Sequence, residues 1–147
     1  MKKVLLIITA SVLLLFSLSS CAGHNDWQYD LSNEFRIYRI NIKTVQISLP
    51  DSGPRGIHLG GGETTVVQFC QNDRYVGAQT IEKDNFDKYY ANNNTLSLVT
   101  YYLIDTQEVI LYGPYTTEEE YIIHLEELGA EEMEWISTYY EPEGAYR

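Results

Sequence analysis

The sequence predicts an α+β domain, an antiparallel β-meander of about six strands with one C-terminal helix packed on the sheet. Three features carry that expectation. Short runs rich in β-branched and aromatic residues are separated by turn formers. A single amphipathic stretch with start and stop signals follows them. Strands first and a helix afterwards is the order of an α+β fold rather than of an alternating one.

Phe35–Ile40 opens the series of strands. In Thr44–Leu49, Val45, Ile47 and Leu49 alternate with Thr44, Gln46 and Ser48, the period of a half-buried strand. Pro50-Asp51-Ser52-Gly53-Pro54 ends it, since these are turn formers and proline denies a ladder its donor. The loop over residues 50–63 closes with Gly60-Gly61-Gly62. A phosphate-cradling loop needs Lys and Ser or Thr after its last glycine; Glu63 stands there instead, so the loop reads as a mobile connection. Thr64–Cys70 and Tyr75–Ile81 are strands joined by the hairpin Gln71-Asn72-Asp73-Arg74, where Asn and Asp tolerate left-handed angles. Glu82–Thr95, with Asn92-Asn93-Asn94 and few aliphatics, reads as an exposed excursion.

Ser97–Ile104 is a strand with apolar residues on both faces, and Glu108–Tyr112 follows after Asp105-Thr106-Gln107. Gly113-Pro114 breaks the sheet pattern. Thr117 with Glu120 three residues on makes a capping box, and Tyr121, Ile122, Leu125 and Leu128 share one face before Gly129 stops the helix. Met133–Ile136 reads either as a short closing strand or as cover for the core. Residues 139–147 read as a loose tail.

Ahead of this body, residues 1–20 have the three parts of an export signal: Lys2 and Lys3, an apolar run from Val4 to Leu18, and small residues before a cut. The run is short for a membrane span, which takes about 20 apolar residues. Leu18-Ser19-Ser20-Cys21 resembles the lipobox of bacterial lipoproteins. The resemblance implies cleavage before Cys21, a diacylglyceryl group on its sulfur, and a new amino group open to acylation. Stable attachment needs two chains or one chain plus a second signal, and a diacyl group supplies two. The organisation expected is therefore a signal peptide over 1–20, a tether over 21–29, one domain over 30–138 and the tail. Its place would be the membrane, held by lipid on the extracytoplasmic side. The rival reading is an ordinary secretory signal cut nearby, with Cys21 incidental.

Loss of Lys2 and Lys3 with the signal takes the net charge from −11 to −13. So acidic a body disfavours nucleic acid, whose binding rests on basic residues neutralising phosphates, and offers no polybasic patch for anionic lipid. A basic protein partner suits it better. With Cys21 on lipid, Cys70 is left alone, and the domain must be held by burial rather than cross-links.

Tyr29-Asp30-Leu31 leading into Phe35-Arg36-Ile37-Tyr38-Arg39-Ile40, then Asn72-Asp73-Arg74-Tyr75-Val76-Gly77-Ala78-Gln79, Tyr101-Tyr102-Leu103-Ile104-Asp105, and Tyr112-Gly113-Pro114-Tyr115 before a helix, resemble a family of small bacterial lipoproteins built on a domain of unknown function. The likeness runs from about residue 27 to residue 129. It implies no activity, ligand or catalytic residue. The glycine loop and the asparagine run depart from it in length.

The candidate chemistry is sparse. Cys70, in a β-like run, reads as a packed thiol, with a nucleophile as the rival that would need a nearby histidine. His24, His58 and His124 lack zinc-ligand spacing, and His124 falls off the apolar stripe and reads as solvated. Glu118, Glu119 and Glu120 oppose the positive end of the helix dipole, whereas Glu126, Glu127, Glu131, Glu132 and Glu134 crowd its unfavourable end. That excess reads as a solvated face or as a surface for a basic partner. Thirteen tyrosines suit strands, or line a sugar- or peptide-binding surface to which adjacent pairs such as Tyr101 and Tyr102 give one member at most. No catalytic, metal or cofactor motif stands out. The sequence therefore favours a non-enzymatic envelope lipoprotein that binds a protein or envelope component. A narrower form is an inhibitor or immunity-type lipoprotein against a basic toxin or cell-wall hydrolase; the other alternative is a thiol-dependent envelope enzyme.

Overall fold

A computed structural model describes residues 26–49, 57–91, 96–131 and 133–146. Within them the chain forms β1 (Trp27–Asp30), β2 (Arg36–Asn41), β3 (Thr44–Ser48), β4 (His58–Gly60), β5 (Thr64–Gln71) and β6 (Tyr75–Glu82). Then come α1 (Phe86–Ala91), β7 (Thr100–Asp105), β8 (Ile110–Tyr115), α2 (Glu118–Glu127) and β9 (Ile136–Ser137), with short 3-10 turns at Ser32–Glu34, Lys83–Asn85 and Leu96–Leu98. The strands form two antiparallel sheets, ordered β1-β2-β3-β4 and β8-β7-β6-β5-β9.

The expected α+β character holds broadly, but one six-strand meander under a single helix does not. The protein is mainly β, with two sheets and two short helices. Alternation along a strand tells inside from outside; it cannot say which sheet the strand joins, because that depends on pairing between distant residues. The β2–β3 hairpin pairs with β1 and β4, and the turn after Gly60 carries the chain into the second sheet. The glycine run expected as a mobile connection thus begins inside β4, with Gly61 buried.

Between the sheets, Trp27, Phe35, Ile37, Val45 and Ile47 pack on Val66, Phe69, Val76, Ala78 and Ile104. The outer face of the five-stranded sheet carries a second core in which Val67, Cys70, Ile81, Tyr101 and Leu103 meet Phe86 and Tyr89 of α1 and Tyr121 and Leu125 of α2. A register shift in β5 between Val66 and Gln68 lets Val66 and Phe69 share the inner face although their spacing is odd. The order of layers is four strands, five strands, helices.

Other expectations change at the margins. Trp27, placed in the tether, is 2% exposed and belongs to the core. The tail is not loose at its end: Tyr146 exchanges backbone hydrogen bonds with Gln28 at 2.7 and 2.8 Å, and its hydroxyl donates to Asp30. Within Glu82–Thr95, α1 buries two aromatic anchors, which a search for aliphatic periodicity does not register; residues 92–95 lie outside the described ones. Met133–Ile136 resolves into a buried Met133 and the start of β9.

Helix α2 follows its local signals closely. Thr117 Oγ1 accepts from the Glu120 amide at 3.2 Å, and the Glu120 carboxylate accepts from the amide of Thr116 rather than of Thr117. At the far end Gly129 adopts φ 66° and donates to Glu126, while Ala130 donates to Leu125. This 6→1, 5→2 pair is the Schellman stop that glycine permits.

Candidate functional site

Strand β8 ends the five-stranded sheet, and among the described residues nothing pairs with its outer side. Such a strand leaves alternate N–H and C=O groups open, and native edges are commonly blunted by lysine, proline or bulges. Here the blunting covers only the second half. A register shift lies opposite Gly113-Pro114, where proline lacks a donor. The first half has no charged side chain, and Val109, Ile110 and Leu111 are 43%, 42% and 39% exposed. Val109 leads in with φ 55°, a left-handed angle that a β-branched residue seldom takes.

Ile110 and Tyr112 pair with Asp105 and Leu103 and so share the helix face, whereas Leu111 pairs with Ile104 and turns toward the other sheet. Over the helix face, the His124 ring sits 4.9 Å from Tyr112 and 5.7 Å from Tyr115. His124 Nδ1 lies 3.7 Å from a Glu127 carboxylate oxygen, and Nε2 is buried with no partner among the described residues. The expectation of a solvated His124 is therefore corrected: its ring closes the seam between α2 and β8.

Carboxylates frame this edge. Glu108 precedes it, and Glu118 and Glu119 open the helix two residues after it. Glu120 is held below the usual carboxylate range by the Thr116 backbone amide, then by the Thr116 hydroxyl. From residue 89 to residue 146 the sequence carries eleven glutamates and no Lys or Arg.

Cys70 faces the helix layer. Its sulfur lies 3.6 Å from the Tyr121 hydroxyl, and burial pushes the thiol up to about 11, against the pull of Tyr121 and the Gly77 backbone. His58 is exposed on β4 in the opposite sheet, so the fold does not join it to Cys70. Of the tyrosines, Tyr75, Tyr101 and Tyr121 are buried; Tyr112 and Tyr115 stay half-buried beside the edge. Among the described residues no three His, Cys, Asp or Glu side chains gather as metal ligands would. Cys21, His24 and Glu132 lie outside the described residues, and no described helix is long and apolar enough to cross a membrane.

The exposed edge escaped the sequence reading, although two signals for it were present: a strand without charge and a long stretch without cations. Residues 32–137 match a family described as a protein of unknown function (DUF3997). No curated protein matches the chain, and no solved structure does.

Proposed function

We propose that this chain, which belongs to the DUF3997 family of proteins of unknown function, is a lipid-anchored, extracytoplasmic binding module that captures a basic protein and carries out no chemistry of its own. One observation carries the reading: eleven glutamates without a single Lys or Arg over residues 89–146. A field of one sign speeds the encounter with an oppositely charged partner and repels copies of itself. The depth of Cys70 and its raised pKa support the non-enzymatic half, because a nucleophilic thiol needs access and a stabilised thiolate.

Anchoring rests on the lipobox-like Leu18–Cys21. Labelled palmitate is expected on the full chain and absent from Cys21→Ser, which stays uncleaved; an unmodified thiol at the start of the mature protein overturns the anchor. Capture of envelope proteins at low and high salt tests the partner. Retention should fall steeply as the screening length shortens from about 10 Å at 0.1 M salt, and salt-independent capture would sink the charge reading. If the partner is a toxin or cell-wall hydrolase, deletion should make cells more sensitive to that enzyme.

A further inference from the structure

We infer that the free edge of β8 takes an extended, basic segment of a partner polypeptide as an added strand, a proposal that deepens the reading above and rests on it. Three independent features converge on the run Val109–Tyr112. It is the outer strand of a twisted antiparallel sheet, so its unpaired backbone groups form a template for a further ladder. It exposes three consecutive apolar side chains, with Ile123 of the overlying α2 also 49% exposed. It enters the strand through a valine at φ 55°, where backbone preference alone would place Gly or Asn.

Charge selects the occupant. Glu108 lies at one end of β8, Glu118 and Glu119 lie beyond the other, and Glu127 sits beside the His124 that covers Tyr112. A second copy of this chain would bring the same carboxylates face to face, without a cation on either side to relieve them. A segment alternating apolar residues with Lys or Arg satisfies both the apolar run and the carboxylates around it. Because Gly113-Pro114 ends the regular ladder, the added strand is short: backbone pairing sets its register and the charges contribute much of its affinity.

The test uses the full lipidated chain in neutral detergent micelles and three ten-residue peptides. One alternates Val and Lys; the second is identical but N-methylated at every other residue along one edge, which keeps charge and side chains while blocking one ladder; the third replaces Lys by Glu. The first is expected to bind at least tenfold tighter than the second, to slow amide exchange at Ile110–Tyr112, and to weaken at least tenfold against Ile110→Lys. The acidic peptide should not bind. Equal binding of the first two peptides, with amide exchange of β8 unchanged, overturns the edge and leaves the charge-steered capture intact. Association of the protein with itself through β8, abolished by Ile110→Lys, would likewise overturn it. Salt-independent capture of envelope proteins is the separate result that would remove the reading beneath.

Discussion

Arg74 donates from Nε and Nη2 to a single oxygen of Asp105, Oδ2, at 3.0 and 2.7 Å. The other oxygen accepts from the amides of Gln107 and Glu108 at 3.1 and 3.2 Å. A carboxylate only 1% exposed is thereby satisfied on both sides, which is the condition for burying one. Thr106 bonds to the Arg74 carbonyl, and Asn33 reaches the Thr106 hydroxyl, so three loops at this end of the molecule are tied together.

This pair carries a pH signature. The Arg74 guanidinium first, with the two amides, holds Asp105 below the usual carboxylate range. A carboxylate whose folded pKa is depressed stabilises above its unfolded value, about 3.9, and that stability is lost as pH falls through the folded value. Asp105→Asn should therefore cost roughly 2 kcal/mol at pH 7, the scale of hydrogen bonds to a charged group. Urea midpoints for wild type and variant should converge as pH drops below about 4; a gap that persists unchanged at the lowest pH at which both remain folded would refute the assignment.

Cys70 should behave as a core atom. At pH 8 the buried thiol is expected to react with iodoacetamide at least tenfold more slowly in the folded protein than in urea, as read by mapping the label to the Cys70 peptide. Rapid labelling of the folded state would restore the nucleophile reading.

Gly77 sits where a side chain has no room. A Cβ there would press into the Tyr121 hydroxyl and the Cys70 sulfur, with Trp135 close behind. Gly77→Ala should destabilise by about 1–3 kcal/mol, the range for overpacking. Adding Tyr121→Phe should recover part of that loss, a coupling seen as a smaller drop in the double variant than the two single drops combined. Strict additivity in denaturant melts would place the strain elsewhere.

Val109 should be a stability cost at the entrance to β8. Val109→Asn is expected to raise stability by about 1 kcal/mol, because Asn tolerates the left-handed region that the branched side chain resists. A lower melting temperature for the variant would show that the valine is held by contacts that offset its backbone strain.

Much of the local structure was legible from residues close in sequence. The alternation of Val45, Ile47 and Leu49 located β3, and Thr117, Glu120 and Gly129 bounded α2, because ladder faces and helix caps are set within a few residues. The stretch Phe86–Ala91 was opaque, since its anchors are aromatic and it lies next to a polar run. The candidate edge was half legible: Glu108–Tyr112 reads as strand, but nothing along it says that no neighbour follows.

The amino-acid order alone determined where the chain turns, which stretches extend or coil, and that its last third carries acid without base; these follow from short-range sterics and from counting charges. Only the tertiary structure decided that the early hairpin joins a separate sheet, that Tyr75, Tyr101 and Tyr121 are interior, and that β8 is left open. Each of those depends on which distant strands exchange hydrogen bonds, and a backbone donor is identical whichever residue carries it.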